Sequence, residues 1–168
     1  TAGHALQYQK VCPAMPEPVN AAIEKALLDK AIAFADNQSP VLPISVQNGL
    51  DANGRHFKKP TIETKNEQWL RAAVLPAPAL TTGIAFNADV QNYGFLQIDV
   101  VRGLGGGTLP IKRTVSAIKA FFPNGLTLTE SGFDVQISHF IMRRGVSEGP
   151  LMADGDGWVK VPVTIPWV

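Results

Sequence analysis

The sequence predicts an α+β fold, in which two α-helices pack on one face of a mainly antiparallel β-sheet, with an extended N-terminal arm and a long loop. Two segments, near residues 17–36 and 108–122, place apolar residues at the spacing of an amphipathic helix. The last segment, residues 158–168, alternates apolar with other residues, which is typical of a β-strand. Further strand-like segments lie between the helices and after the second one. Helices on one face of a sheet are the simplest arrangement for that order.

The first part of the chain predicts an arm followed by a helix. Residues 1–16 show no clear period and include Pro13 and Pro16, so we expect an extended arm, with a disordered tail as the alternative. A single domain is predicted over residues 17–168. Its first helix has Pro18 in the first turn and Glu17 at the positive end of the helix dipole. The apolar positions of this helix are Val19, Ala22, Ile23, Ala26, Leu27, Ala31 and Phe34.

A long excursion is predicted between the first two strands. Residues 41–46 predict a short strand, and residues 69–75 predict the next one. Residues 47–68 between them contain Asn48-Gly49 and Asn53-Gly54, have little apolar content and include a basic stretch. We interpret residues 47–68 as a long loop, a small hairpin insertion or a flap. Loops of this length in a compact domain are uncommon and are usually functional or mobile.

The middle of the chain predicts a core strand and the second helix. Residues 81–89 suggest a turn and a short strand, and residues 93–101 a better strand that turns Leu96, Ile98 and Val100 toward the core. A glycine-rich turn follows, after which Thr108 can cap a helix with Pro110 in its first turn. The core-facing stripe of this helix is Ile111, Val115, Ile118 and Phe122.

The sequence of the last strand predicts that one of its two edges is unpaired. Residues 126–129 and 134–143 predict strands, and residues 145–157 a turn-rich connection into the last strand. Pro162 and Pro166 stand four residues apart and so remove amide donors from the same edge of that last strand. We therefore predict an edge strand whose other edge pairs in full. Its predicted apolar face is Val159, Val161, Val163, Ile165 and Trp167.

Composition argues against several classes of protein. Fifteen basic and fourteen acidic residues give a net charge of +1, which provides no strong field for nucleic acid or an acidic membrane. The single cysteine, Cys12, supplies no intrachain disulfide and no zinc or redox pair. No apolar run reaches the roughly 20 residues of a membrane span, and the amino terminus lacks the basic-then-apolar pattern of a signal peptide. We expect a soluble intracellular product without membrane partners.

No catalytic, cofactor-binding or metal-binding residue is predicted. The glycines of residues 103–107 lack the spacing and the lysine of a phosphate-binding loop. Residues 154–157, Asp-Gly-Asp-Gly, begin like a calcium loop but lack its later ligands, so a tight hairpin turn is favoured. The three histidines, which show no ligand spacing, are His4, His56 and His139. We therefore expect neither an enzyme nor a cofactor.

Basic residues in loops and at strand ends are the candidates for contact with partners, with solvated charge as the alternative interpretation. Only one aromatic residue stands among them, whereas a nucleic-acid surface is expected to carry several for stacking. The interface candidates are Arg55, His56, Phe57, Lys58, Lys59, Arg102, Arg143 and Arg144.

Several segments in this order resemble the phage tail terminator-like proteins. They are a Trp-Leu-Arg-Ala-Ala-Val strand at residues 69–74, a Gly-Phe-Leu-Gln-Ile-Asp-Val-Val strand at residues 94–101, and a helix that ends in Ala-Phe-Phe-Pro at residues 120–123. The most specific is Val-Pro-Val-Thr-Ile-Pro-Trp at residues 161–167. The resemblance covers about residues 17–168.

The resemblance implies a structural virion protein without catalytic residues, made in the host cytoplasm. Such subunits form a ring, commonly a hexamer, at the head-proximal end of a long tail tube. The ring ends tube polymerisation and meets the head-to-tail connector or neck protein, while DNA passes through its channel without being read. A neck connector or tail-completion protein of the same fold is one alternative.

An alternative from another class is a small α+β hydrolase or ligand-binding domain. Its site would be built from scattered residues, which would include Asp99, His139 and Asp154.

Overall fold

The secondary structure follows the predicted order with several additional short strands. The structure, a computed structural model, describes residues 19–60, 67–77, 80–81, 90–137 and 145–168. The helices are α1 (Val19–Asp36) and α2 (Leu109–Phe121). The strands are β1 (Ile44–Val46), β2 (Leu50–Asp51), β3 (Gln68–Pro76), β4 (Leu80–Thr81), β5 (Val90–Gln91), β6 (Gly94–Gly103), β7 (Thr127–Glu130), β8 (Phe133–Gln136), β9 (Ser147–Glu148), β10 (Met152–Ala153) and β11 (Trp158–Trp167). The predicted arm of residues 1–16 lies outside the described residues.

The main sheet is mixed and mostly antiparallel. Its strand order is β10-β11-β6-β3-β1-β2, with β9 also paired to β11. Strands β3, β6 and β11 form its long centre, where β6 pairs antiparallel with both neighbours over nearly its whole length. Strand β1 pairs with β3 in the parallel direction. Small two-stranded sheets form from β4 with β5 and from β7 with β8.

One face of the sheet packs against both helices. Alternation turns Leu96, Ile98 and Val100 of β6 into a single core, where all three are fully buried. Leu27 and Phe34 of α1 enter the same core. The buried α2 residues that join them are Ile111, Val115 and Ile118, with Phe122 just beyond the helix. The predicted α+β class, with two helices on one face of the sheet, is confirmed.

The start of α2 differs from the prediction in one respect. Thr108 occupies the N-cap position and Pro110 lies in the first turn, as expected. The Thr108 side chain makes no capping hydrogen bond. Its backbone is in the right-handed helical region, at φ −92° and ψ −19°, whereas a capping side chain needs an extended backbone. The predicted side-chain cap is therefore wrong.

The closing strand β11 is not an edge strand. As predicted, one of its edges pairs in full, with β6 over residues 158–167. The Pro162 carbonyl faces the opposite edge, where it accepts a hydrogen bond from the Gly149 amide at 2.8 Å. Strand β9 pairs with Val163 and Thr164, and β10 pairs with Val159 and Lys160. The edge-strand prediction is wrong because two very short strands pair on either side of Pro162.

Candidate functional site

The face of the sheet opposite the helices, called the outer face below, carries a cluster of four charged residues. Alternation places Asp99 of β6 on this face, directly opposite Arg71 of β3. Lys160 of β11 and Asp154 of the β10–β11 turn complete the charge cluster, which consists of Arg71, Asp99, Asp154 and Lys160. Asp99 is only 2% exposed. The outer face is therefore organised around a buried carboxylate.

The distances show that each carboxylate contacts both cations. Arg71 donates to Asp99 Oδ2 from Nη2 at 2.6 Å and from Nε at 3.1 Å. Its Nη2 also lies 3.0 Å from Asp154 Oδ1. Lys160 Nζ lies 3.2 Å from Asp99 Oδ2 and 3.5 Å from Asp154 Oδ1. Gln97 Nε2 donates to the other Asp99 oxygen at 2.8 Å. The cluster is charge-balanced and closely connected.

Electrostatics favour the charged forms of Asp99 and Arg71. Burial of Asp99 disfavours its charged form, but hydrogen bonds from Arg71 and Gln97 and the charges of Arg71 and Lys160 outweigh burial and lower its pKa. Burial likewise opposes the charge of Arg71, but its bonds to Asp99 and Asp154 raise its pKa. A carboxylate with a lowered pKa is a poor proton donor or acceptor near pH 7. This arrangement fits a structural role better than proton transfer.

A cluster of aromatic side chains lies beside the charges. Trp69 of β3 and Trp158 of β11 are buried on the outer face around Val101, with ring centroids 6.3 Å apart. Phe57 packs on Trp69 at 5.2 Å. The four residues Phe57, Trp69, Val101 and Trp158 are called the tryptophan cluster below. Lys59 Nζ stands 5.1 Å from the Trp158 ring, within the range of a cation–π contact.

The predicted basic stretch is attached to this cluster. Asp51 Oδ1 accepts hydrogen bonds from the backbone amides of Asn53 and Arg55 at 2.9 and 2.8 Å. The Phe57 amide donates to the Gly49 carbonyl at 2.9 Å. These bonds form a small ordered hairpin, one of the alternatives predicted for residues 47–68. Residues 61–66 of that segment lie outside the described part of the chain.

The structure separates the predicted interface candidates. Arg55, His56, Lys58 and Lys59 are exposed on the hairpin, while Phe57 is half-buried. Arg102 is 8% exposed, lies on the helix side of the sheet and interacts within the chain. Arg143 and Arg144 lie outside the described residues. The candidates that the structure does bring together are therefore those of residues 55–59.

The scattered residues of the hydrolase or ligand-binding alternative are partly brought together. Asp99 and Asp154 share Arg71 and Lys160, whereas His139 lies outside the described residues. Within the described ranges, no group of three or more His, Cys, Asp or Glu side chains could hold a metal ion. The predicted hairpin turn at residues 154–157 is confirmed, since Asp154 N donates to Trp158 O.

Sequence reasoning missed Arg71, Lys160 and the two tryptophans as members of one surface. The sequence signal that could have identified Arg71 and Asp99 is the alternation of side chains between the two faces of a strand. Arg71 and Asp99 are charged residues in the middle of their strands, on the face opposite the predicted core. Charges at such positions in two neighbouring central strands predict a cross-strand pair, but only once the register is known.

Comparisons with known proteins agree with this fold. The model of a family described as phage tail terminator protein matches residues 19–167. A solved protein chain superposes with a TM-score of 0.67 and 24% sequence identity, covering 90% of this chain and 95% of that one. This likeness concerns the fold alone. Comparison with curated proteins gives no match. Neither described helix is long and apolar enough to cross a bilayer.

Proposed function

Since the chain belongs to the phage tail terminator family and is thus a structural component of the virion tail, we propose that it forms a ring, a hexamer, at the head-proximal end of the tail tube. The ring ends tube polymerisation and joins the tail to the head-to-tail connector or neck protein. DNA passes through the channel of the ring as cargo. The observation that carries the proposal is the family match, which spans all but the first 18 residues and the last one.

The described residues support a structural role. The charge cluster joins three neighbouring strands and the β10–β11 turn by ion pairs, so it fixes the relative positions of the surfaces that the sheet presents. Both of its carboxylates are ion-paired with Arg71 and Lys160, and the pKa of Asp99 is lowered. Rigid presentation of separate surfaces is what a subunit between two different partners requires. We assign no enzymatic step to this chain.

The basic residues 55–59 at the end of this hairpin are proposed to contact a neighbouring virion component, either the tail tube protein or the connector. Lys58 and Lys59 are exposed, and Phe57 between them and Gly49 anchors the segment to the tryptophan cluster. An anchored loop loses less conformational entropy on binding than a free one. Cations held in place also favour encounter with an acidic partner surface. Arg143 and Arg144 remain candidates for the same contact.

Deletion of this protein during phage production tests termination against the alternative role in the neck. Removal of a terminator should yield tails longer than those of the wild-type phage, measured by electron microscopy of purified particles. Supplying the chain from a plasmid should restore the length. Tails of normal length that fail to join heads would instead indicate a connector or tail-completion protein. Normal infectious particles would contradict both roles.

A further inference from the structure

Two grooves lie at opposite edges of the subunit. The first, called the α2 groove, has a volume of about 360 Å³ and runs between α2 and residues 148–151, with Val161 of β11 in its wall. The second, called the α1 groove, has a volume of about 420 Å³ and runs between α1 and the β1–β2 hairpin. Strands β11 and β2 are four strand positions apart, so the grooves open roughly 20 Å apart.

Basic residues predominate on the helix beside the α2 groove, whereas acidic residues predominate in the lining of the α1 groove. Helix α2 has three basic residues and no acidic one, and one of them, Lys112, lines the α2 groove together with Glu148. Glu148 is itself ion-paired with Lys119 at 2.6 Å. The three basic residues are Lys112, Arg113 and Lys119. The α1 groove is lined by three acidic residues and a single basic one, Lys25. These acidic residues are Glu24, Asp29 and Asp51. With Lys119 paired to Glu148, helix α2 has two further positive charges, Lys112 and Arg113, and the lining of the α1 groove has a surplus of two negative charges.

Apolar side chains accompany the charges at both edges. Leu109, at the first turn of α2, is 58% exposed, and Leu151, in the wall of the α2 groove, is 49% exposed. They are among the large apolar side chains that are exposed in the described part of the chain. The α1 groove offers a matching apolar lining of half-buried residues, which are Leu28, Ile32, Val46 and Leu50. Each edge thus combines an apolar centre with charged residues around it, as protein interfaces do.

We propose that the α2 groove and its leucines pack against the α1 groove of a second copy of this chain. Two different, complementary surfaces at opposite edges make a heterologous contact, and repetition of such a contact closes a ring when the rotation between subunits allows it. Leu109 and Leu151 of one subunit cover the apolar lining of the next, while Lys112 meets the acidic residues around that lining. This inference rests on the proposed ring and identifies the surfaces that build it.

Charge reversal with rescue tests the inference. Lys112→Glu places acidic residues on both sides of the interface. Their repulsion should convert the ring into smaller species. Addition of Glu24→Lys on the same chain restores opposite charges across every interface, so the double variant should re-form the ring. Particle mass is measured by mass photometry for the full chain and both variants. Lys58→Glu is the control, since Lys58 is an exposed lysine outside both grooves. Leu151→Asp should also lower the particle mass, and circular dichroism checks that each variant is folded.

The outcomes separate this inference from the proposed function. A wild-type ring that survives both Lys112→Glu and Leu151→Asp would overturn the assignment of the grooves and leave the ring intact. Loss of the ring in Lys112→Glu without rescue by Glu24→Lys would overturn the pairing of the two grooves. A wild-type chain that remains a monomer at high concentration would overturn the ring and this inference with it. Loss in the single variants and recovery in the double variant supports both.

Discussion

At the scale of single residues, Asp99 shows how a charge is kept in the middle of a sheet. Its carboxylate is 3% exposed, and a buried charge is strongly unfavourable unless it is paired and hydrogen-bonded. Arg71, Lys160 and Gln97 all donate to it from residues on the same face. Strand alternation alone brings these donors to the carboxylate, so the position depends on correct register in three strands.

Loss of the Asp99 charge should destabilise the domain. Asp99→Asn removes the buried one of the two carboxylates that Arg71 and Lys160 share, and leaves both cations with Asp154 alone. We expect the free energy of unfolding to fall by about 1–3 kcal/mol, measured by urea denaturation. Asp29→Asn removes the acid of a surface pair with Lys25 and should cost less than about 1 kcal/mol. Equal losses in the two variants would contradict a structural role for the cluster.

The same residue predicts acid sensitivity. The pKa of Asp99 in the folded protein is lowered below its ordinary value of 3.8, so over that range the unfolded chain binds the proton more readily than the native one. This contribution to stability is complete above about pH 4 and is lost as pH falls through the lowered pKa. Urea midpoints between about pH 5 and pH 2 should therefore fall more steeply for the wild type than for Asp99→Asn. Parallel curves would show that another carboxylate controls acid unfolding.

At the scale of elements, β6 depends on close contact with both neighbours at its first residue. Gly94 lies opposite Pro76 of β3 and Trp167 of β11. A Cβ atom at Gly94 would overlap the Leu75 carbonyl oxygen and stand 2.8 Å from Trp167 Cζ2. Because the Leu75 carbonyl is part of the sheet backbone, relief of the overlap would require the strands to separate at this end, which costs stability.

Gly94→Ala should therefore cost roughly 2–3 kcal/mol, measured as the loss of unfolding free energy in urea. Gly105→Ala is the control, because a Cβ there meets nothing within 4 Å and only the positive φ of +92° opposes it. That backbone strain should cost about 1 kcal/mol. If Gly105→Ala were the more damaging variant, conformational strain in the turn, not packing at β6, would limit stability.

The elements that could be predicted from the sequence are those with long regular patterns. Helix α2 and strands β3, β6 and β11 each show enough repeats of one period to be recognised. Strands β2, β9 and β10 have two residues each, which is too short for a period, and they form because a longer strand stands beside them. The parallel pairing of β1 with β3 is likewise a tertiary result.

The outer-face site could be predicted only in part, for the same reason. Asp99 was expected on the face opposite the core, and the basic residues 55–59 were expected to be exposed in a loop. Their surroundings depend on contacts distant in sequence, since Arg71 reaches Asp154 and Phe57 packs on Trp69. Such contacts require the strand order and register of the whole sheet, which no local pattern contains.

At the scale of the whole molecule, the proposed contacts use different parts of the surface. The two grooves lie on the lateral edges of the sheet, whereas Lys58 and Lys59 follow Phe57 on the outer face. A subunit that meets its own copies at the edges uses residues 50–54 of the hairpin in the α1 groove, and it leaves Lys58 and Lys59 available for a different partner. Assembly of the ring and its attachment to the tail joint should therefore be separable by substitution.

Charge reversal on the hairpin tests this separation. The double variant Lys58→Glu/Lys59→Glu should keep the fold and the mass of the ring but bind purified tail tubes or connectors at least about tenfold more weakly, as the loss of two interfacial charge pairs predicts. Binding is measured by co-sedimentation at two salt concentrations, since screening should weaken the wild-type contact as well. The charge-preserving variant Lys58→Arg/Lys59→Arg is the control, because arginine keeps both the positive charge and the cation–π contact with Trp158. Unchanged binding to both partners would place the contact elsewhere, and loss of the ring itself would show that Lys58 and Lys59 belong to the interface between copies.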